Sequence, residues 1–448
     1  MDADLLLSSL SPATPAQQAG ILAFQRGFLT YRTTMVDALA AAEEAPGHPM
    51  LDAMAAALHL FAEAPGAAGL ARPFLARAQV AHHATGRERA WIASIAAWAD
   101  ADTARAAAIA EAALRDRPAD LALAKLAQYH FFNLGDQAGL LRAALPGLAA
   151  CAHIGEVHGM AAFGFEQLHR LDEAEAHARR ALDLAAGNEP WASHALAHVR
   201  LTRGQCDEGA AELEAAAPSW QGLNSFAHTH LYWHLALFRI ARGRLAEALV
   251  LFDREVWGRD PAYSQDQAGA VSLLARIELA GGDVGDRWAR LRPWLEPRAG
   301  DTTLPFLSLH YLLGLVRSGA SEAAAALAQA IARVPGTAWQ RAATPAARAI
   351  MAGGRGDWTG AADQMGVALT AMLAIGGSHA QRDLFDQLHL DWLARAGRWA
   401  QAQPLLEARR ARDPADRSVR AALDRAYAAL GLPVLPRAPA TAPLGDRA

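Results

Sequence analysis

An all-α fold, an array of stacked antiparallel helix pairs wound into a right-handed superhelix, is what this sequence predicts. Three observations carry that expectation. Apolar residues return three and four positions apart almost everywhere, as in AAAIAEAAL, HARRALDLA and HLALFRIA, whereas the strict alternation of a strand is hard to find. The breaks are short clusters of Gly, Asp or Pro, among them RDRPAD at 115–120, AAGNEP at 185–190 and GRDPAY at 258–263, which suits helices of about 10–15 residues joined by tight turns. The third observation is an internal repeat.

The repeat is a turn pattern: Gly, any residue, an apolar residue, any residue, often Glu, then a small residue. The segment from Gly243 to Ala248 (GRLAEA) is its best copy. Others start at Gly204 (GQCDEG), His169 (HRLDEA), Gly356 (GDWTGA), Gly397 (GRWAQA) and, more weakly, Gly135 (GDQAGL). The steps from 135 to 169, 204 and 243 are 34, 35 and 39 residues, near the period of about 34 of tetratricopeptide helix–turn–helix units. Each pair leaves an apolar face that only a stacked neighbour can cover. About nine pairs are expected between residues 20 and 430. They form one solenoid domain over 1–432, with a flexible Pro/Ala-rich tail at 433–448.

Composition narrows the function. With 448 residues, 52% hydrophobic and 20% charged, the chain can bury a large core. Lys+Arg of 42 against Asp+Glu of 46 gives a net charge of −4, which sets nucleic acid and anionic membrane surfaces aside as partners. Cys151 and Cys206 form no disulfide framework and no paired-thiol motif, so a reducing compartment fits. No secretory leader and no apolar run of membrane-spanning length is present, and a cytoplasmic location is expected.

In such repeats the first helix of each pair lines the concave wall. Counting the turn glycine as position fifteen, positions two, five, six, nine, twelve and thirteen share roughly one face. His194 and His198 then take positions five and nine before Gly204, and His230 and His234 take two and six before Gly243. Each pair stands one helical turn apart, and both point at the same wall. His310 takes position six before Gly319, and Glu166 takes position twelve before His169. Imidazoles at i, i+4 supply two ligands from one helix to a transition metal such as zinc or iron, the expected cofactor. They serve equally as acid–base groups, with Glu166 fixing a tautomer, or simply pack. Tyr232 and Trp233 stand beside the second pair as ligand-contact candidates, and His158 falls at position four, slightly off the inner face. Near the C-terminus, GGSHAQRDLFDQL at 376–388 places His379, Arg382 and Asp383 around a helix start with Ser378 as N-cap. No Gly-rich phosphate loop, HExxH or GxSxG motif is found.

The segments RERAWIASIAAWADAD (87–102), RPADLALAKLAQYHFFNLGD (117–136), EVHGMAAFGFEQ (156–167), WASHALAHV (191–199), FAHTHLYWHLALFRIARG (226–243) and GGSHAQRDLFDQL (376–388) resemble the tetratricopeptide repeat protein 38 family over nearly the whole chain. The matching patterns are HGM, HAxAHV, HxxWH and GGSHAQRD. The resemblance implies the repeat fold and carries the family's polar positions onto His158, His194, His198, His230, Trp233, His234, His379, Gln381, Arg382 and Asp383. His310 matches a later family histidine, although Ser308 and Leu309 stand where an acidic neighbour is often found. The family's biochemical role is poorly defined, so no reaction follows from it.

Two functions compete. One is a histidine-rich small-molecule site in the concave groove, a metal-dependent enzyme for hydrolysis, hydration or proton transfer in which His158, Glu166, His310, His379, Arg382 and Asp383 do acid–base or anion-binding work. The other is a non-catalytic scaffold that binds a peptide or partner protein along the same wall. Self-association is a further expectation, from the apolar composition and the open ends of the array.

Overall fold

The computed structural model describes residues 6–433, so the expected tail lies, apart from Pro433, outside the described residues. Within them the chain is 23 α-helices joined by short turns, and its β-type pairing is a single bridge between Arg32 and Leu223. The helices form eleven antiparallel hairpins and a final helix, Arg417–Ala429, against the expected number of about nine pairs. Pairs at 49–79 and 86–116 turn through FAEAPG and DAD, which lack the glycine signature.

Local chemistry sets the helix starts. Thr14 with Gln17, Thr85 with Glu88 and Ser378 with Gln381 form reciprocal capping boxes, and Asp120 and Asn224 cap through their side chains. The turn glycines Gly135, Gly204 and Gly243 all sit at φ 70°, the left-handed conformation that ends one helix and starts the next. His169, which replaces glycine in one copy, adopts φ 56° itself and so keeps the same turn.

First and second helices of a pair are buried to different degrees. In Leu171–Leu184 only Ala174, Ala178 and Ala181 are buried, the single stripe of an outer helix. In Gly155–Gln167 nearly every side chain is buried, and Pro190–Thr202, Ser264–Leu279 and Pro305–Arg317 are similar. Those first helices are covered on both sides because the array closes on itself. Ser264 Oγ donates to Ala62 O at 2.9 Å, and the Asn224 amide donates to Tyr31 O at 2.7 Å. Arg276 Nη2 donates to Ala380 O at 2.7 Å, and Arg242 Nη1 reaches Asp413 at 2.8 Å. The concave wall is therefore an interior. What the sequence presents as an open groove is largely filled by other turns of the same chain.

One closure contact is tight enough to test. A Cβ on Gly135 would collide with the carbonyl of Leu373, besides straining a positive φ, whereas a Cβ on Gly397, also at positive φ, meets open space. Gly135→Ala is expected to cost about 2–3 kcal/mol and Gly397→Ala about 1 kcal/mol, read as urea-unfolding midpoints. Equal losses would show that the 135–373 contact bears no strain.

Candidate metal centre

Helix Pro190–Thr202 carries His194 and His198, and the parallel first helix of the next hairpin, Ser225–Ala241, carries His230 and His234. One turn of rise between i and i+4 stacks each pair, and the two helices bring the pairs face to face. His194 Nε2 lies 3.1 Å from His198 Nε2 and also 3.1 Å from His230 Nε2. The His234 ring centroid is 4.9, 4.6 and 4.8 Å from those of His194, His198 and His230. One ring nitrogen from each of the four lies within 4.8 Å of one from every other.

Hydrogen bonding alone does not account for this arrangement. A neutral imidazole has one donor and one acceptor nitrogen, so a single His194 Nε2 cannot be matched to two neighbouring Nε2 atoms with both contacts satisfied. Nδ1 of His194 and both nitrogens of His234 are buried without any partner, and such orphans are rare in native interiors. Burial pushes the pKa of all four rings down, that of His230 to about 3. They therefore present uncharged lone pairs at neutral pH, the form a transition metal requires. Ligand nitrogens around tetrahedral zinc sit about 3.3 Å apart, close to the 3.1 Å that separates His194 Nε2 from each of its two Nε2 neighbours.

Glu166, fully buried on the helix Gly155–Gln167, organises the second half of the site. Its Oε2 lies 3.4 Å from His198 Nδ1, at ion-pair distance with the ring turned out of hydrogen-bond alignment, and accepts from Gln167 Nε2 at 2.7 Å. Its Oε1 pairs with His379 Nε2, which arrives from a helix 213 residues away. Burial acts to raise the Glu166 pKa, but His198 and His379 outweigh it and hold the carboxyl well below the usual range. A carboxylate behind the far nitrogen of a ligating imidazole is the usual support of a metal-bound histidine. Glu166, His198 and His379 also form a second group whose ligand atoms lie within 4.8 Å of one another.

The other sequence-derived candidates divide. Trp233 stacks on His230 at 5.3 Å and backs the centre without facing it. His310 stands one step further off, donating from Nδ1 to Phe306 O at 2.8 Å and lining a small void with His230 and Gln381. Arg382 turns back to the carbonyls of Gly376 and Gly377, stabilising their left-handed backbone, and burial lowers its pKa to about 10. Asp383 is held by both Arg409 nitrogens, at 2.6 and 2.9 Å, and by Arg276 at 3.3 Å. These ties knit the last repeats to the middle ones. Besides Arg382 and Asp383, two further candidates are not brought to the centre. His158 pairs with His177 at 2.9 Å and with Ala152 O, on the side of its helix that meets the next one, and Tyr232 packs against Trp220 and His228 on the opposite face from His230.

Beside the centre is a cavity of about 160 Å³ walled by aromatic rings, with His194 and His230 on one side. Trp191 stacks on His194 at 4.1 Å, and Phe163 packs against the same ring at a tilt at 5.1 Å. Glu63, Lys125, Gln128 and Tyr129, which sequence reasoning missed, also line it. Glu63 sits in the turn FAEAPG, which lacks the glycine signature, whereas Lys125 and Tyr129 fall at inner-face positions five and nine before Gly135, a register that the weaker GDQAGL copy offered. On the far side of His379 a wider cleft of about 360 Å³ is lined by charged groups including Asp386, Arg409, Arg412 and Asp413.

No family model matches the chain. Among solved structures it is similar to a human IFIT1 dimer with m7Gppp-AAAA, at 14% identity over 88% of this chain and 89% of that one, with a TM-score of 0.40. It is also similar to a chain of Naa15/Naa10 bound to HypK-THB, at 16% identity over 91% and 67%, TM-score 0.24. A third is the P58(IPK) TPR domain, at 13% identity over 77% and 98%, TM-score 0.21. The helix pairing described above is that of a tetratricopeptide-like helical repeat. No helix among the described residues is long and apolar enough to cross a membrane.

The buried rings make acid a denaturant. Burial lowers the folded-state pKa of His130 and His230 to about 3 and of His310 to about 4, against an ordinary 6.5. Groups depressed in the folded state contribute stability that is full above the unfolded pKa and lost as pH falls below it, because the unfolded chain takes up the protons first. At pH 5 each ring is expected to cost about 2 kcal/mol. Melting at pH 7.5, 6 and 5 should show a steep decline, and His130→Phe, outside the four-histidine cluster, should flatten it by about one proton. A melting temperature independent of pH between 7.5 and 5 would contradict the buried, neutral assignment.

Proposed function

We propose that this chain binds a transition-metal ion, zinc or iron, on His194, His198, His230 and His234, and uses it on a small molecule held in the adjoining aromatic cavity. His234 carries the proposal: a wholly buried imidazole with both nitrogens unpartnered, ringed by three other imidazoles. Packing gives no reason to bury four such groups together, each at a desolvation cost, when apolar side chains would fill the space. The motifs that meet here are those that resemble the tetratricopeptide repeat protein 38 family, and we read the chain as a member of it, acting as one domain. The two free cysteines support a reducing, cytoplasmic setting.

A metal on imidazoles acts as a Lewis acid and lowers the pKa of bound water to about 7, which suits hydrolysis, hydration or proton transfer. Four rings fill the shell of tetrahedral zinc but leave two positions on six-coordinate iron. Reactivity at the ion therefore calls for iron, or for zinc held by three rings with the fourth as base. Glu166 fixes His198, and His379 shares that carboxylate as the proton-handling group. The non-catalytic scaffold is the second reading, favoured by the charged cleft beside His379, which is not lined by any of the four clustered histidines and suits a polar peptide.

Elemental analysis of protein purified without a histidine tag is expected to give about one metal ion per chain, lost when His194 and His234 are both replaced by Ala. Glu166→Gln should retain the fold and weaken metal affinity by roughly 10–100-fold. A metal-free wild type that stays metal-free on dialysis against zinc or ferrous iron would leave the scaffold reading.

A further inference from the structure

The aromatic cavity contains a carboxylate with no cation to neutralise it. Glu63, just past the helix Pro49–Leu60, is 4% exposed and sits in the left-handed backbone region at φ 49°, a conformation disfavoured for any residue with this side chain. Tyr129 Oη donates to its Oε1 at 2.6 Å, and Gln265 Nε2, from a helix 202 residues away, donates to Oε2 at 2.5 Å. Ser264 acts on the carboxylate as a third side-chain hydrogen-bond partner, and since the two oxygens together can accept about four hydrogen bonds, acceptor capacity remains. Among the described residues no Lys, Arg or His stands at ion-pair distance from it, and the like charge of Asp301, which acts to raise its pKa, is itself paired with Arg298 at 3.1 Å. Burial, and after it Asp301, push its pKa up against the pull of its hydrogen bonds.

The cavity's only lysine does not answer this need. Lys125 Nζ donates to Phe28 O at 2.6 Å and to Leu29 O at 2.9 Å, and lies 3.2 Å over the centroid of the Tyr31 ring. An ammonium has three donors, and those three partners occupy them at the C-terminal end of the helix Pro15–Thr30. The charges that act on it are Glu189 and Glu156, not Glu63. Around Glu63 the wall is aromatic: Phe61 packs edgewise on Tyr129 at 5.1 Å, and the phenols of Tyr129 and Tyr263 are both raised by burial and then by the Glu63 charge. Aromatic faces with one carboxylate are the chemistry that receives an organic cation.

We infer that this cavity takes a small molecule with a cationic amine on an aromatic or flat apolar body, with Glu63 as counter-ion for the amine and the body reaching toward His194 and His230. The inference rests on the cavity being the ligand site of the histidine centre, and it names the substrate class for that site.

Calorimetric titration of the full chain with three probes of one shape tests it: phenethylammonium, 2-phenylethanol and phenylacetate. The protein is used as purified and again after chelator treatment, so that a missing metal, which would sink the previous proposal, leaves this test readable. The ammonium is expected to bind at least about tenfold more tightly than the alcohol in both forms, with the carboxylate weakest. Glu63→Gln should bring the ammonium down to the alcohol. Tyr129→Phe, which removes one hydrogen bond and keeps the charge, should preserve the preference, with circular dichroism confirming that both variants fold. Equal affinity for ammonium and alcohol, a preference that survives Glu63→Gln, or no binding by any of the probes overturns the inference.

Discussion

Closure of the superhelix on itself is the constraint from which the rest of the structure follows. Tetratricopeptide-like hairpins ordinarily leave one wall of first helices facing solvent. Here that wall meets other turns of the chain, so His198, His234 and Glu166 end with no solvent exposure. A polar group removed from water must find a partner or become neutral. Glu166 follows the first course, since its charge is compensated by rings on two helices far apart in sequence. The four clustered imidazoles follow the second and remain unprotonated.

That neutrality has chemical consequences. An exposed histidine pair would be partly protonated near pH 6.5 and would hold a metal in competition with protons. Desolvation removes the competition over most of the physiological range while leaving the lone pairs free, and the rings of Trp191, Phe163 and Trp233 pack against the imidazoles. The same low dielectric strengthens any charge placed there. A bare cavity of this kind is costly to the folded state, and a bound cation would remove much of that cost by giving the orphan nitrogens of His194 and His234 a partner.

The repeat register made much of this legible. Turn glycines at 204 and 243 fix the phase of their helices, and the two histidine pairs fall on the inner wall by counting alone. Glu166 was reached through a turn that lacks glycine, which works because His169 adopts the left-handed conformation in its place. The same count places Tyr232, like His158, at position four, and both point away from the centre; adjacency to His230 and His234 made Tyr232 attractive where its register argued against it. Closure was not legible. No local pattern says that Glu63 meets Gln265, that Lys125 caps a helix about a hundred residues earlier, or that His379 reaches Glu166, because these pairings are set by the summed curvature of many hairpins.

The last repeats thus have a role beyond length. Asp383 is gripped by Arg409 of the following helix and by Arg276 of a middle repeat, and the Arg276 guanidinium also takes up the Ala380 carbonyl in the first turn that carries His379. Burial would raise the Asp383 carboxyl, but the two arginines hold it ionised, so the clamp keeps its charge. His379 is in this way held against Glu166 from outside, and Glu166 in turn stands behind His198. The geometry of the central imidazoles therefore depends on ion pairs in a charged cleft that none of them touches. An array whose repeats contact only their neighbours would tolerate loss of a terminal hairpin, whereas in this closed form the terminal hairpin is part of the frame that sets the ring positions.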